Sequence, residues 1–267
     1  MIRNLMIFLI LLTVKSFARI FYRFEADWLE PPTDEDWRDL RLINVLHHTS
    51  LVEIFYFGIL TNGALWKLAS HGVAPVASVT LQRPFLGFAF RVMAKNVISL
   101  TRKRDHTWTE LMEAIDEDSM LIIVPEGRLM RRDGLDKKGR PMTVRGGIAD
   151  ILAALPGGKI LMIYSGGLHH VQIPGETRFP KLFKTIYCRC EMLDIEAYRR
   201  GLMGDPTARL AQPDDGEAHE QFKAAVVQDL ERRRDRHCPP TGFPPQVGGP
   251  SGPRPSGSRP SGPRPSR

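Results

Sequence analysis

Two histidines and a glutamate lie close together in the segment NVLHHTSLVE at residues 44–53. His48 precedes Glu53 by five residues, where an apolar run meets a helical pattern that begins near Thr49 or Ser50. Either of these residues is a favourable helix N-cap. A carboxylate one turn away holds an imidazole in one tautomer and stabilises its protonated form. The spacing is compatible with a general base that acts on a hydroxyl, and equally with a buried histidine satisfied by a neighbouring carboxylate.

A second group of charged residues follows the apolar run at residues 122–124. The run ends in a Pro-Glu-Gly turn that carries Glu126, and Arg128 comes directly after it. In open α/β sheets, ligands gather at the carboxyl ends of the strands. Guanidinium groups hold anions there through paired hydrogen bonds. The segment is therefore a candidate anion site, and its alternative is a surface loop whose charges face water.

The formal net charge of +7 is concentrated in three segments. Residues 1–24 contain four basic and no acidic residues, residues 128–145 contain seven basic and two acidic residues, and residues 239–267 contain four arginines and no acidic residue. The rest of the chain is acidic on balance, which excludes a uniformly basic surface. The four tryptophans form no regular stacking array. We therefore expect no nucleic-acid partner.

Composition divides the chain into three parts. With 267 residues, 42% of them hydrophobic and 25% charged, the chain is not fibrous, collagenous or wholly disordered. Residues 239–267 contain ten prolines and six glycines and are predicted to be a disordered tail. Residues 25–238 have a length that suits one compact domain. Residues 1–24 are predicted to form a membrane-anchoring helix.

The anchor is inferred from the apolar run at residues 5–14, which lies between Arg3 and Lys15. The run is shorter than the roughly 20 residues that a simple spanning helix needs. A helix that continues past residue 14 has an apolar side and a basic side, as a monotopic helix at an anionic membrane surface does. The residues expected on these two sides are Phe17, Ile20, Phe21 and Phe24, and Lys15, Arg19 and Arg23. A cleaved signal peptide and a buried core helix are the alternatives.

The central part alternates short apolar runs with longer helical patterns. This alternation predicts an α/β fold in which helices flank a mostly buried mixed sheet. The predicted strands are residues 42–46, 97–100, 120–124, 160–164 and 185–190, and the predicted helices are residues 51–68, 107–115, 147–155 and 217–234. The three cysteines, Cys188, Cys190 and Cys238, show no paired spacing, so we expect a reduced, cytoplasmic setting and no disulfide framework.

Four blocks of sequence, in order, resemble the glycerolipid acyltransferase family, which includes the bacterial lysophosphatidate acyltransferases. The resemblance covers roughly residues 40 to 195. The family pattern Asn-His-x-Ser-x-x-Asp corresponds to residues 47–53, and the family's apolar strand ending in Asp-Arg corresponds to residues 97–102, which follow Pro-x-x-Gly at residues 84–87. The pattern Phe-Pro-Glu-Gly-Thr-Arg-Ser-Arg corresponds to residues 124–131. A stretch of a basic residue, a glycine and a small residue corresponds to residues 145–147.

This resemblance implies acyl transfer from acyl-CoA or acyl-carrier protein to the hydroxyl of a lysophospholipid such as 1-acylglycerol-3-phosphate, at the cytoplasmic face of a membrane. His48 is implied to be the general base, assisted by Glu53. Neither a covalent acyl-enzyme, a metal nor a cofactor besides the acyl donor is implied. The residues implied to bind the acceptor are Arg102, Glu126, Gly127, Arg128 and Arg131.

The sequence departs from the family pattern at several positions. Glu53 replaces the usual Asp, and its extra methylene still allows it to reach an imidazole. Arg128 stands at the Thr position and Leu129 at the Arg position of the third block, and LMIY at residues 161–164 replaces a Val-Pro-Val pattern. These changes leave open a different lipid acceptor, amino-acid-based or sugar-based.

Two further classes of function are weighed against acyl transfer. A metal-dependent hydrolase would use His47, His48 and Glu53, together with His169 and His170, although the compact His-Glu-x-x-His spacing is missing. A lipid-binding homologue without activity would keep the scaffold after changes in the third and fourth blocks. The presence of His48 with Glu53 favours an enzyme over this last alternative.

Overall fold

The computed structural model describes residues 1–82, 87, 92, 94–101, 106–177, 179–203 and 216–239. Two sequence-based expectations fall elsewhere. Arg102 lies outside the described residues, and so does nearly all of the predicted tail, from residue 240 onward.

The described strands form one seven-stranded mixed sheet in the order β1-β7-β6-β2-β5-β3-β4. Five neighbouring strands, from β6 to β4, are parallel, whereas β7 runs antiparallel to β6, and β1 is parallel to β7. The strands are β1 (Arg23–Trp28), β2 (Leu40–Leu46), β3 (Gly72–Ala77), β4 (Asn96–Leu100), β5 (Met120–Ile123), β6 (Lys159–Ser165) and β7 (Thr185–Asp194). The predicted mixed α/β sheet is confirmed.

Helices cover both faces of this sheet. The described helices are α1 (Ile2–Phe21), α2 (Asp34–Arg38), α3 (Asn62–His71), α4 (Ser78–Leu81), α5 (His106–Glu113), α6 (Gly147–Ala154), α7 (Ile195–Met203) and α8 (Glu217–His237), with a 3-10 helix, η1 (Glu53–Ile59). On one face α1 packs against η1 and α3, and on the other α8 packs against α6 and α7. Each helical layer shares a hydrophobic cluster with the sheet.

The central strands are buried on both sides because their side chains alternate between the two clusters. In β6, Leu161 and Ile163 face the cluster of α1, η1 and α3. Ile160, Met162 and Tyr164 face the cluster of α6 and α8. This two-sided burial explains why the strands read as continuous apolar runs and why the sequence predicted their positions well.

The single helix predicted at residues 51–68 is wrong, because the segment is split into η1 and α3. Leu60 is extended, with φ −71° and ψ 148°, and interrupts the helical pattern. Thr61 then starts α3 as its N-cap, its hydroxyl accepting from the Ala64 N–H at 3.1 Å. An apolar periodicity that continues through both pieces hides this break, since each piece buries its own apolar face.

Two strands were missed by the sequence patterns. One is β3, which contains Pro75; only Gly72 and Val73 pair with β5, so Pro75 lies where no β5 partner needs its missing N–H. The other missed strand is β1, which alternates half-buried and exposed residues at the edge of the sheet. The expectation that Arg23 and Phe24 lie on the N-terminal helix is wrong, because both residues belong to β1.

The N-terminal helix α1 is 20 residues long, and among the described helices it alone is long and apolar enough to cross a membrane. Its buried side consists of Ile7, Leu11 and Ala18. Its outward side carries exposed apolar residues, namely Ile2, Leu5, Met6, Leu9, Phe17 and Ile20. The helix therefore combines a face that packs on the domain with an apolar face that does not.

The basic residues of α1 bind the protein, which corrects the expectation that Lys15 and Arg19 reach for headgroups. Lys15 Nζ donates to Leu60 O and to Asn62 Oδ1, both at 2.7 Å, and Arg19 Nε donates to Gly58 O at 2.7 Å. These bonds satisfy carbonyls at the end of η1 and fix α1 against it.

Substitution of the buried Leu11 tests whether α1 is an integral part of the domain. We expect Leu11→Ala to lower the free energy of unfolding by about 2–5 kcal/mol, since it leaves a cavity between α1 and the core. Leu9→Ala, on the exposed side of the same helix, is the matched control, with an expected change within about 0.5 kcal/mol. Urea unfolding in detergent measures both, and equal values would show that α1 does not pack on the core.

Candidate active site

The candidate site begins at a sharp turn after β2. The strand ends at Leu46, and His47 adopts a positive φ of 73°. Such a conformation is costly for a residue with a Cβ, and histidine is one of the residues that adopts it more often. The His47 ring helps to hold the turn, since its Nδ1–H donates to Ser165 O at 2.8 Å. The turn reverses the chain so that His48 and Glu53 lie together.

His48 and Glu53 are in direct contact through Nδ1 and Oε2. The other carboxylate oxygen of Glu53 accepts from the backbone N–H groups of Thr49, at 2.8 Å, and Ser50, at 3.3 Å. The carboxylate is buried, and the imidazole is 18% exposed. Since Nδ1–H donates to the carboxylate, Nε2 carries the lone pair, which is the arrangement a general base needs.

The charge of Glu53 determines the protonation behaviour of this imidazole. Burial alone lowers the pKa of His48, but the charge and hydrogen bond of Glu53 and the charge of Glu126 act in the opposite direction. Together they outweigh burial and raise the pKa of His48 above its ordinary value of about 6.5. The imidazole is thus a stronger base than a free histidine.

A second carboxylate, that of Glu126, holds the backbone of the turn through hydrogen bonds. Its Oε1 accepts from the His47 N–H at 3.2 Å, and its Oε2 accepts from the His48 N–H at 2.7 Å. It is almost completely buried, at 1% exposure. We expected Glu126 to contact the acceptor, but its oxygens bind the backbone that carries His48. Glu126 therefore positions the backbone of the turn that carries His48.

The turn that carries Glu126 is tied to its surroundings by backbone hydrogen bonds. Gly127, with φ 59°, donates to Val124 O at 3.0 Å and closes the turn after β5. The Arg145 N–H donates to Pro125 O and the Met130 N–H to His48 O, both at 2.8 Å. The two motifs, at residues 47–53 and 124–131, are thus one connected unit at the carboxyl edge of the parallel strands.

Arginines of the predicted acceptor site lie in different environments. Arg128 is 14% exposed; its guanidinium pairs with Asp136 and donates to Thr143 Oγ1 at 3.0 Å. Arg131 is exposed. Burial raises the pKa of Asp136, but hydrogen bonds from Arg140, Lys138 and Arg128 outweigh it and hold the pKa well below its usual range. Part of the positive charge in residues 128–145 is therefore balanced by an internal carboxylate.

A third segment, after β6, supports the turn from the side. The Leu168 N–H donates to Thr49 Oγ1 at 2.7 Å, and Ser50 Oγ donates to Gln172 Oε1 at 3.2 Å. His169, in the same segment, is buried, and its Nε2–H donates to Met130 O at 2.8 Å. His169 therefore has a structural contact that links two of the segments around the site.

Arg234 also contacts this unit, and the sequence analysis did not single it out. Arg234 is buried, lies 3.4 Å from Glu126 Oε1, and donates to Met142 O at 3.2 Å. A usable signal exists in the sequence: Phe222, Val226 and Leu230 repeat every four residues, and Arg234 is the next position in this buried stripe.

Comparison with known proteins gives matches among solved structures. No family model and no curated protein matches the chain. The structure is similar to that of the 1-acyl-sn-glycerophosphate acyltransferase PlsC from Thermotoga maritima. The match has 14% sequence identity and a TM-score of 0.47, and it covers 83% of this chain and 78% of that chain.

The part of the chain that the structure describes contains no group of three or more His, Cys, Asp or Glu residues placed to hold a metal ion. His47 donates to a backbone carbonyl, and His48 to Glu53. The alternative set of His47, His48, Glu53, His169 and His170 is therefore not assembled as one metal-binding cluster.

The ion pair between Glu126 and Arg234 can be tested by removing one partner. We expect Arg234→Met to lower the free energy of unfolding by about 3–5 kcal/mol, because it leaves the Glu126 carboxylate buried without its cationic partner. Arg236→Met removes an exposed charge from the same helix, and its effect is expected to stay within about 0.5 kcal/mol. Urea unfolding measures both variants.

A double variant, Glu126→Gln with Arg234→Met, separates the pair from other contacts of Arg234. Its loss should be smaller than the sum of the two single losses, since the uncompensated charge is gone. Strict additivity would contradict an interaction between these residues.

Proposed function

We propose that the protein is a membrane-associated O-acyltransferase that moves a fatty acyl group from acyl-CoA or acyl-carrier protein to the hydroxyl of a lysolipid. The observation that carries this proposal is the contact between His48 Nδ1 and Glu53 on a turn whose backbone Glu126 holds. The order of the four sequence blocks, which resembles the glycerolipid acyltransferases, supports the same reaction.

In the proposed reaction, His48 Nε2 takes the proton of the acceptor hydroxyl while the oxygen attacks the carbonyl carbon of the thioester. A new C–O bond forms, and collapse of the tetrahedral intermediate breaks the C–S bond. The departing sulfur receives the proton from His48, so the imidazole returns to its neutral form. Glu53 stabilises the imidazolium between these steps, and no covalent acyl-enzyme is needed.

We also propose a location at a membrane surface, which α1 and the proposed acceptor both support. A lysolipid resides in the bilayer interface, and the outward side of α1 presents apolar residues such as Leu5, Met6 and Leu9. We propose that α1 lies in the interface at the cytoplasmic face, where acyl thioesters and the reduced state expected for the cysteines are both found.

The acceptor headgroup has two candidates. The proposed acceptor is a lysophospholipid such as 1-acylglycerol-3-phosphate, whose phosphate would lie near Arg131 and the turn of Gly127. One observation favours an amino-acid-based or sugar-based lipid: Arg128 is paired with Asp136, so its guanidinium is already neutralised inside the protein. Arg102 remains a proposed acceptor residue.

Replacement of the proposed base tests the reaction. We expect His48→Ala to lower kcat by about 10²- to 10⁴-fold, because the hydroxyl loses its general base. The measurement is the release of free thiol from an acyl thioester that depends on added lysolipid. His71→Ala, at the end of α3, is the matched control and should keep the rate of the unchanged protein.

Several outcomes of this assay would contradict the proposal. Normal turnover by His48→Ala would remove His48 as the base. If neither lysophosphatidate nor an amino-acid-based or sugar-based acceptor causes thiol release, the result would favour a lipid-binding homologue without activity. Activity that a chelator abolishes and added metal restores would favour the hydrolase.

The pH dependence of kcat/KM tests the role of Glu53. Since the base acts in its neutral form, kcat/KM should fall as the pH drops through the raised pKa of His48, which lies above about 6.5. In Glu53→Gln the burial of His48 remains and the carboxylate charge is lost, so this acidic limb should move to lower pH. The plateau rate should also fall, by about 10²- to 10⁴-fold. An acidic limb that stays in place or moves upward would contradict the pairing.

A further inference from the structure

An exposed apolar corner lies beside the end of α1. It consists of Phe17 and Ile20 from α1 and of Leu182 and Phe183 from the segment before β7. Phe183 is 77% exposed, Ile20 70%, Leu182 41% and Phe17 37%. The ring of Phe183 lies 5.8 Å from that of Phe21, which in turn lies 4.6 Å from that of Phe17. The corner thus continues the apolar face of α1 onto a second part of the chain.

The backbone holds Phe183 in this exposed position. Its N–H donates to Phe21 O at 2.8 Å, and the Lys184 carbonyl accepts from the Arg23 N–H at 3.2 Å. On the other side, the Lys181 N–H donates to Val171 O at 2.9 Å. Phe183 has a φ of 57°, in the left-handed region that residues with a Cβ avoid. The positive φ and the exposure of a large apolar ring both cost free energy, and the stability of the fold does not explain why they are kept.

Sheet topology places the corner at the same edge as the candidate site. Because β7 runs antiparallel to β6, the start of β7 lies beside the end of β6, with Cys188 opposite Ser165. The end of β6 lies beside the end of β2, where His47 and His48 follow. Two strand spacings separate β7 from β2, about 10 Å along the sheet. A surface that covers this edge of the sheet therefore faces both the corner and the dyad.

Charges next to the corner indicate what covers it. Lys181 and Lys184 flank Leu182 and Phe183, and all four are exposed. Apolar side chains between lysines suit the interface of an anionic bilayer, where the rings enter the acyl boundary and the ammonium groups meet phosphates. An acidic carrier protein would also attract the lysines, but the continuity with the apolar face of α1 favours a lipid surface.

We propose that this corner is a second bilayer contact, which docks the catalytic edge of the sheet against an anionic membrane. With α1 alone, the bilayer contacts lie along one line, which restrains the tilt of the domain about that line only weakly. A second contact beside the sheet edge removes that rotation and turns the dyad toward the lipid acceptor. The proposal rests on the proposed function for its purpose, but it concerns binding and not chemistry.

Vesicle binding without substrates tests the proposal. Leu182→Ser with Phe183→Ser should weaken binding to phosphatidylcholine–phosphatidylglycerol vesicles about tenfold or more, because two apolar side chains no longer enter the bilayer. Lys181→Gln with Lys184→Gln should weaken binding to the same vesicles, about fivefold for each lysine, and leave binding to pure phosphatidylcholine unchanged.

Matched controls sit away from the corner. Leu29→Ser removes an apolar side chain of 40% exposure just after β1, beyond the opposite edge of the sheet. Arg200→Gln with Arg236→Gln removes two exposed positive charges from α7 and α8. Both controls should bind vesicles as the unchanged protein does. Unchanged binding by the two corner variants would overturn the proposal and favour a protein partner at this surface.

A fluorescent probe tests the contact in a protein that keeps Phe183, Lys181 and Lys184. Leu182→Cys labelled with nitrobenzoxadiazole, in a Cys238→Ser background, should gain intensity and shift to shorter wavelength when anionic vesicles are added. The same probe at Leu29→Cys should not respond. Equal responses at both positions, or none at 182, would overturn the proposal. Failure of acyl transfer in the unchanged protein would instead overturn the proposed function, and it would leave these binding results in place.

Discussion

The buried carboxylate of Glu126 connects the parts on which the candidate site depends. It accepts hydrogen bonds from the backbone of His47 and His48, and it lies against the guanidinium of Arg234. An ionised carboxylate is stable at this depth because several donors surround it. Through one side chain, the turn after β2, the turn after β5 and helix α8 are held in one arrangement, although they are far apart along the chain.

Contacts between residues close together in the sequence were predicted better than contacts between residues far apart in it. Glu53 lies five residues from His48, so local spacing was enough to bring the two together. The order of β2 and β5 in the sheet, which joins Glu126 to the same turn, requires long-range pairing that one sequence does not display. For this reason Glu126 was predicted to lie at the site but to contact the acceptor, whereas it binds the backbone of the turn. Arg234 was missed, although its position in the buried stripe of α8 indicates that it faces the core.

Elements that follow a simple burial pattern were predicted well, and those that combine two patterns were not. The strands β2, β5 and β6 are mostly apolar, because helices cover both faces, and their positions were recognised, as was the position of β7. The helical pattern across η1 and α3 conceals the break at Leu60, since both pieces face the same cluster. The basic residues of α1 were assigned to the lipid side on composition, yet Lys15 and Arg19 satisfy carbonyls of η1.

The left-handed backbone at His47 restricts which side chains this turn accepts. The position needs a residue that tolerates a positive φ and that also donates a side-chain hydrogen bond toward Ser165 O. Asparagine meets both demands, and so does histidine. Glycine meets the first demand alone, and a β-branched residue meets neither cheaply. Asn at position 47 would therefore keep both the backbone geometry and the donor, and the neighbouring imidazole would keep its position.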